Sequence, residues 1–303
     1  MSNSAKTVAI TGGTGMVGTS LAAALREAGH SPINVTRRTP EGASKSIVWN
    51  PAGGLKDPSQ LESVDTIVHL AGENIAAGRW TVKLKDRIRR SRIDGTRNLV
   101  KSLSAISKRP KTLISASAIG YYGDRGATVL NEDASVGKGF LAELCRDWEH
   151  ESQAASDLGL RVVNVRIGVV LSSKGGALAK MLLPFKLGAG GIIGSGKQYW
   201  SWIGLHDLVR VLMFCIENEA LHGPLNAVSP NSMTNYDFTK GVGRVLHRPT
   251  IFPMPAFAAK LALGEMAEEL LLASARVTPE KLQANGFEFD YPDLDSCLRS
   301  ELL

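Results

Sequence analysis

Two rhythms of apolar residues alternate along the first half of the chain. Short runs at 8–10, 31–36, 46–49, 66–70, 112–116 and 160–167 predict strands. Between them, 80–105 and 140–157 repeat apolar residues three and four apart, which predicts helices. In the first of these helices Leu84, Ile88, Gly95, Leu99 and Leu103 form one inward stripe, opposite Lys83, Arg90, Arg97 and Lys101. The second carries a packing stripe of Leu141, Leu144, Cys145, Trp148 and Ser152. Strands alternating with helices predict an α/β fold, a doubly wound parallel sheet covered on both faces. From about 175 the texture becomes glycine-rich and irregular, with a loop at 187–196 suited to covering a substrate, and 257–275 reads as a final helical portion. The expected division is a nucleotide-binding unit over 1–170, completed by 205–229, and a smaller substrate-side portion over 171–204 and 230–303.

The first strand runs into Thr11-Gly12-Gly13-Thr14-Gly15-Met16-Val17-Gly18, after which Leu21, Ala22 and Leu25 open a helix that Gly29 closes. Strand, glycine turn and helix start form a cradle for a dinucleotide pyrophosphate, with Gly12, Thr14, Gly15, Met16 and Val17 as the candidate contacts. The next strand ends at Thr36-Arg37-Arg38, with no acid to accept from an adenosine ribose. Arginine offers a planar set of donors that matches a 2′-phosphate, so NADP(H) is the expected cofactor; the alternative is that both arginines are solvated surface.

Charge changes this picture at one place. The 303 residues carry a net charge of +6, and the basic density lies mostly within 79–101. Helical phase puts most of these cations on a solvated face, so no nucleic-acid partner is expected. Arg92 instead falls inside the apolar stripe, where an unpaired charge is costly, and a cofactor phosphate would neutralise it, as would an ordinary carboxylate. Arg87 lies at the stripe's edge and could assist. No run of 18 apolar residues is present, so no membrane partner and a cytoplasmic location are expected. Cys145, Cys215 and Cys297 are too dispersed for a metal site and read as reduced structural thiols. A monomer or homodimer acting on an unidentified small molecule fits this composition.

Taken together, the turn at 11–18, His69-Leu70-Ala71-Gly72, the strand-end serines 115 and 117 before Tyr121-Tyr122-Gly123-Asp124, and Val165-Arg166-Ile167-Gly168 resemble the extended short-chain dehydrogenase/reductases. More narrowly, Leu70 to Ile75, Ser91-Arg92, Phe140 to Glu149, and Gly194-Ser195-Gly196 with Trp202 resemble the atypical subgroup called epimerase family protein, whose relatives include cell-division-inhibitor-like proteins. The resemblance implies a Rossmann sheet, a cofactor lined by Leu70, Ala71, Gly72, Ser115 and Ala116, and Arg166 near cofactor or substrate. It also implies a tyrosine acid/base with a lysine four residues later. Leu141 and Cys145 stand at those two positions. Ser117, Tyr121 and Tyr122 are therefore the candidate catalytic residues, with Glu73 and Asn74 as further polar contacts. The alternative for the tyrosines is packing. Gly204 stands where the resemblance leads one to expect a histidine, and His206 beside Asp207 reads as a local hydrogen-bond pair. Two functions stay open: an NADP(H)-dependent epimerase or oxidoreductase, isomerase or reductase in outcome, acting on a small carbonyl or hydroxyl compound that could be sugar-nucleotide-like; or a non-catalytic NADP(H)-binding redox sensor or protein-interaction factor linked to division. No metal is expected in either.

Overall fold

A computed structural model describes residues 4–38 and 46–302 of the chain. Strand β1 (Thr7–Thr11) enters the glycine turn and helix α1 (Met16–Glu27) leaves it. That helix stops where Gly29 takes φ +81°, which lets the His30 N–H reach back to the Leu25 carbonyl at 2.8 Å and sends the chain into β2 (Ser31–Thr36). Then follow β3 (Ser46–Asn50), β4 (Gly54–Leu55), β5 (Thr66–His69), α2 (Val82–Ser104), β6 (Thr112–Ala118), α3 (Phe140–Gln153) and β7 (Arg161–Ile167). The later elements that matter here are α4 (Gly176–Lys186), α5 (Leu205–Glu217), β8 (Gly223–Ala227) and α6 (Asn235–Val245).

These strands form one sheet in the order β8-β7-β6-β5-β1-β2-β3-β4, parallel throughout except for β4 against β3. Alternation along β1 explains the two covering layers. Val8 and Ile10 face α1 and α5, packing with Leu21, Leu25, Leu208 and Leu212; Ala9 faces α2, packing with Leu99 and Leu103. The predicted stripes of α2 and α3 are the buried ones. From β1 the chain builds outward to β2 and β3 on one side and, from β5 onward, to β6, β7 and β8 on the other. The direction therefore switches between β1 and β5, where open α/β sheets bind their ligands.

Two expectations need correction. The stretch after 175 is not irregular throughout: Leu178, Leu182 and Phe185 share one buried face, and that spacing suffices to form α4 despite Pro184. The portion at 257–275 is not one helix, because Gly264 at φ +63° breaks it into Ala256–Leu263, Glu265–Ala267 and a π-helical turn at Glu268–Leu272. A separate core joins α4, Trp200, Trp202, Phe238 of α6 and Leu298 of the helix Leu294–Leu302.

At the switch point a buried polar chain ties the layers together. Thr11 Oγ1 accepts from the Leu70 and Ala71 N–H groups, each at 3.1 Å, which occupies both lone pairs and leaves its hydroxyl proton for His69 Nδ1 at 2.7 Å. His69 therefore carries its proton on Nε2 and donates it to Thr96 Oγ1 at 3.0 Å, which also accepts from Trp148 Nε1 at 3.0 Å. Burial, assisted by the Arg92 charge, lowers the His69 pKa to about 4, so the ring is neutral at pH 7.

Because the unfolded chain binds that proton near pH 6.5 and the folded one only near 4, stability is complete above pH 6.5 and is lost as pH falls toward 4. Urea unfolding of the wild type should lose on the order of 3 kcal/mol across that window beyond the loss shown by His69→Gln. Identical pH slopes for the two proteins would contradict the assignment.

Candidate functional site

The glycine turn owes its shape to the absence of side chains. A Cβ on Gly18 would lie 2.4 Å from the Gly12 carbonyl oxygen, and one on Gly12, whose φ is +70°, would lie 3.0 Å from Leu70 and Ala71 backbone atoms. Gly15 caps α1 without a side-chain hydrogen bond, and the first turn of α1 has no acid, so the N–H groups there have no anionic partner among the described residues. Thr14, Gly15, Met16 and Val17 are exposed or half-buried at that end, while Leu70, Ala71 and Gly72 lie opposite, beyond the end of β5. On the far side of β1, Thr36 ends β2 and donates to the Arg38 carbonyl at 2.7 Å, fixing a turn from which Arg37 and Arg38 are exposed.

Arg92 reaches the same edge from α2. Its guanidinium lies against Gly72, where a Cβ would meet Cζ at 3.1 Å, and it stacks on Trp148 at 5.1 Å. Nη1 donates to the Glu73 carbonyl at 3.0 Å, and more weakly to that of Ile88, but no carboxylate forms an ion pair with Arg92 among the described residues. Burial lowers its pKa. The half-buried cation thus has carbonyl acceptors and, among the described residues, no carboxylate within ion-pair distance, Glu73 acting on it only from further away. Arg87 differs: it is exposed and lies 3.6 Å from Glu73.

The expected catalytic residues meet around Arg166 instead. Arg166 Nε and Nη2 donate to the two Glu149 oxygens at 2.8 and 2.9 Å, and Nη1 donates to Tyr122 Oη at 2.9 Å and to the Glu132 carbonyl at 3.1 Å. Burial is the largest single influence and opposes its charge, but the hydrogen bonds and charge of Glu149 together with those of Tyr122 outweigh it and the pKa is raised. Arg166 therefore has its counter-ion inside the protein, the ordinary alternative to a cofactor contact. Tyr122 is fully buried, donates to Asn226 Oδ1 at 2.7 Å, and burial pushes its pKa up to about 12. Both of its hydrogen-bonding capacities are engaged within the protein. Tyr121 is half-buried over the Arg166 plane at 3.6 Å, its hydroxyl without a hydrogen bond among the described residues. Ser117 Oγ donates to Glu149 Oε1 at 2.6 Å, while Ser115 is buried and donates to the Ala116 carbonyl at 3.3 Å.

Where the tyrosine and lysine would stand, Leu141 packs against Gly120, and Cys145 is buried beside Ser117 and Arg92 with its thiol pushed up to about 12, mainly by burial. The thiol is neutral at pH 7 and supplies Arg92 with no anion. The N-terminus of α3 is closed by Glu269, whose two oxygens accept from the Phe140 and Leu141 N–H groups at 2.8 Å each. His206 pairs with Asp290 at 2.7 Å rather than with Asp207, which instead accepts from the Asp290 and Tyr291 N–H groups and from Arg210. Arg210 also contacts Asp290, so one guanidinium bridges both carboxylates of this cluster.

Glu149 is the residue the sequence undervalued: it stood only as the last residue of the Phe140 to Glu149 string, and nothing local disclosed that it would meet both Ser117 and Arg166. Glu132, Asn226 and Glu269 were likewise invisible, because each finds its partner across the sheet or from the C-terminal segment.

Residues 8–227 match the model of the NAD dependent epimerase/dehydratase family. The chain belongs to that family. Residues 254–301 match a second model, a domain of unknown function. An epimerase family protein of Mycobacterium bovis is 44% identical over 96% of each chain, and the human epimerase family protein SDR39U1 is 35% identical over 96% of this chain and 98% of that one. A crystal structure of the human protein, solved with NADPH, superposes with a TM-score of 0.89 at 34% identity, covering 97% of this chain and 98% of the other. The doubly wound sheet and the atypical short-chain dehydrogenase/reductase assignment therefore stand.

Because Glu149 and Arg166 are buried together, removing one charge strands the other. Glu149→Gln should cost about 3–5 kcal/mol in urea unfolding, whereas Tyr121→Phe should stay within about 0.5 kcal/mol of wild type. A Glu149→Gln protein of wild-type stability would show that the pair does not hold the site together.

Proposed function

We propose that the chain binds NADP(H) across the β1–β5 switch and interconverts a hydroxyl and a carbonyl on a small organic substrate, as an epimerase or oxidoreductase. The observation that carries the binding half is Arg92, a half-buried guanidinium without a carboxylate, held against Gly72 on the edge that also bears the glycine cradle. The residues present fit the cofactor: the cradle has no room for side chains, the α1 N-terminus lacks an anion, and Arg37 and Arg38 follow the end of β2. NADPH in the human relative supports the phosphorylated form.

When bound, the nicotinamide supplies or accepts hydride. The chain's own residues orient the substrate and handle its proton. Glu149 takes the Ser117 hydroxyl proton into a 2.6 Å hydrogen bond, so Ser117 Oγ is left as an acceptor for a substrate hydroxyl. Arg166 keeps Glu149 in place for that task. The burial and engaged partners of Tyr122 favour the half-buried Tyr121 phenol as the proton donor. The second reading, a protein that holds the dinucleotide without turnover, is favoured by Leu141 and by a neutral Cys145, which cannot provide the cation a lysine would.

In fluorescence titrations NADPH should bind at least about tenfold more tightly than NADH, the discrimination expected of charge-assisted phosphate contacts. Arg37→Ala with Arg38→Ala should erase that preference, and Arg92→Ala should weaken NADPH by a similar factor while the thermal midpoint holds. Equal affinities for the two cofactors in the wild type would overturn the proposal.

A further inference from the structure

Large apolar side chains that reach solvent are gathered on one part of the substrate-side portion. Residues 251–255 are consecutively exposed, and Ile251, Phe252 and Met254 are 46–68% exposed there. Phe257 and Leu261, 73% and 76% exposed, follow one turn apart on the helix Ala256–Leu263. The Met254 N–H donates to the Ile192 carbonyl at 2.8 Å and the Gly194 N–H to the Met254 carbonyl at 2.8 Å, so this tip is fastened beside the glycine-rich loop. Gly188 at the other end of that loop faces the Pro249 ring, which brings exposed Leu183 of α4 and Leu187 just beyond its end to the same surface. An exposed apolar patch of this extent marks an interaction surface.

Charge identifies what would cover it. The chain has no acidic residue between Asp157 and Asp207 and none between Asp237 and Glu265, the two stretches that build the patch. Lys186 and Arg248 are exposed on it and make no ion pair among the described residues, while Lys260 pairs with Glu268 at 2.7 Å. A second copy docking face to face would set Lys186 and Arg248 against their own counterparts with no acid from either stretch to offset them. A run of five exposed residues projects rather than forming the groove a partner helix needs. Aromatic and aliphatic side chains bordered by free cations suit the interfacial zone of an anionic bilayer.

We propose that this surface, centred on Phe252 and Phe257, docks the protein peripherally on anionic phospholipid. No helix among the described residues is long and apolar enough to cross a membrane, so the contact is with one leaflet. It is independent of the cofactor reading.

The test is co-sedimentation of the full chain with vesicles of phosphatidylcholine alone or with about 30% phosphatidylglycerol, at low salt and at about 0.5 M salt. We expect at least about fivefold more protein on the anionic vesicles at low salt, lost at high salt. Phe252→Ser with Phe257→Ser should abolish the association, and Lys186→Glu with Arg248→Glu should remove the preference for anionic lipid, all with unchanged thermal midpoints because these side chains are exposed. Failure of the wild type to sediment with either vesicle would overturn the proposal. So would association that the substitutions leave unchanged, or a dimer that the serine variants dissociate without altering vesicle binding.

Discussion

One threonine hydroxyl sets the geometry on which the site depends. Thr11 Oγ1 gathers the Leu70 and Ala71 N–H groups and hands its own proton to His69, so the carboxyl ends of β1 and β5 are locked at one separation. That separation is short enough that Gly12 lies against the Leu70–Ala71 backbone with no space for a Cβ. Gly72 then follows at the place where Arg92 arrives from α2, and Thr96 on the same helix closes the chain back to His69 and Trp148. Cradle, strand end and guanidinium are thus placed by one buried hydrogen-bonded series rather than by separate accidents of packing. Such a series is stabilising only while every member is satisfied, which is why a neutral His69 matters.

A second buried series is centred on Arg166. At the two α3 positions where the resemblance leads one to expect tyrosine and lysine, this chain has the packing residues Leu141 and Cys145, and a carboxylate, Glu149, stands one helical turn onward. Glu149 meets Arg166 in a two-point contact and meets Ser117 with the oxygen it shares. The bidentate ion pair holds the carboxylate in one orientation. The two arginines therefore differ in kind: Arg92 makes no ion pair among the described residues, and Arg166 is paired with Glu149.

The repeating core was legible in the sequence because its periodicities are local. β2 appears at 31–36 as expected, α2 and α3 bury the predicted stripes, and Gly29 ends α1. Arg92 could be singled out because a charge inside an apolar stripe is anomalous wherever it occurs. Arg166 was expected near cofactor or substrate through the resemblance alone, and its pairing with Glu149 of α3 left no local mark in the sequence. The irregular half was less legible: α4 carries Gly175, Gly176 and Pro184, which read as breakers, and only the tertiary burial of Leu178, Leu182 and Phe185 decides for helix.

The most direct test of the claim that Arg92, and not Arg166, serves the dinucleotide is a crystal structure of this chain with NADPH. The account predicts cofactor phosphate over the N–H groups that begin α1, an Arg92 nitrogen within hydrogen-bond reach of the cofactor, and Arg166 still joined to Glu149. A complex in which Arg166 leaves Glu149 for the cofactor, or in which Arg92 turns away from it, would contradict that claim.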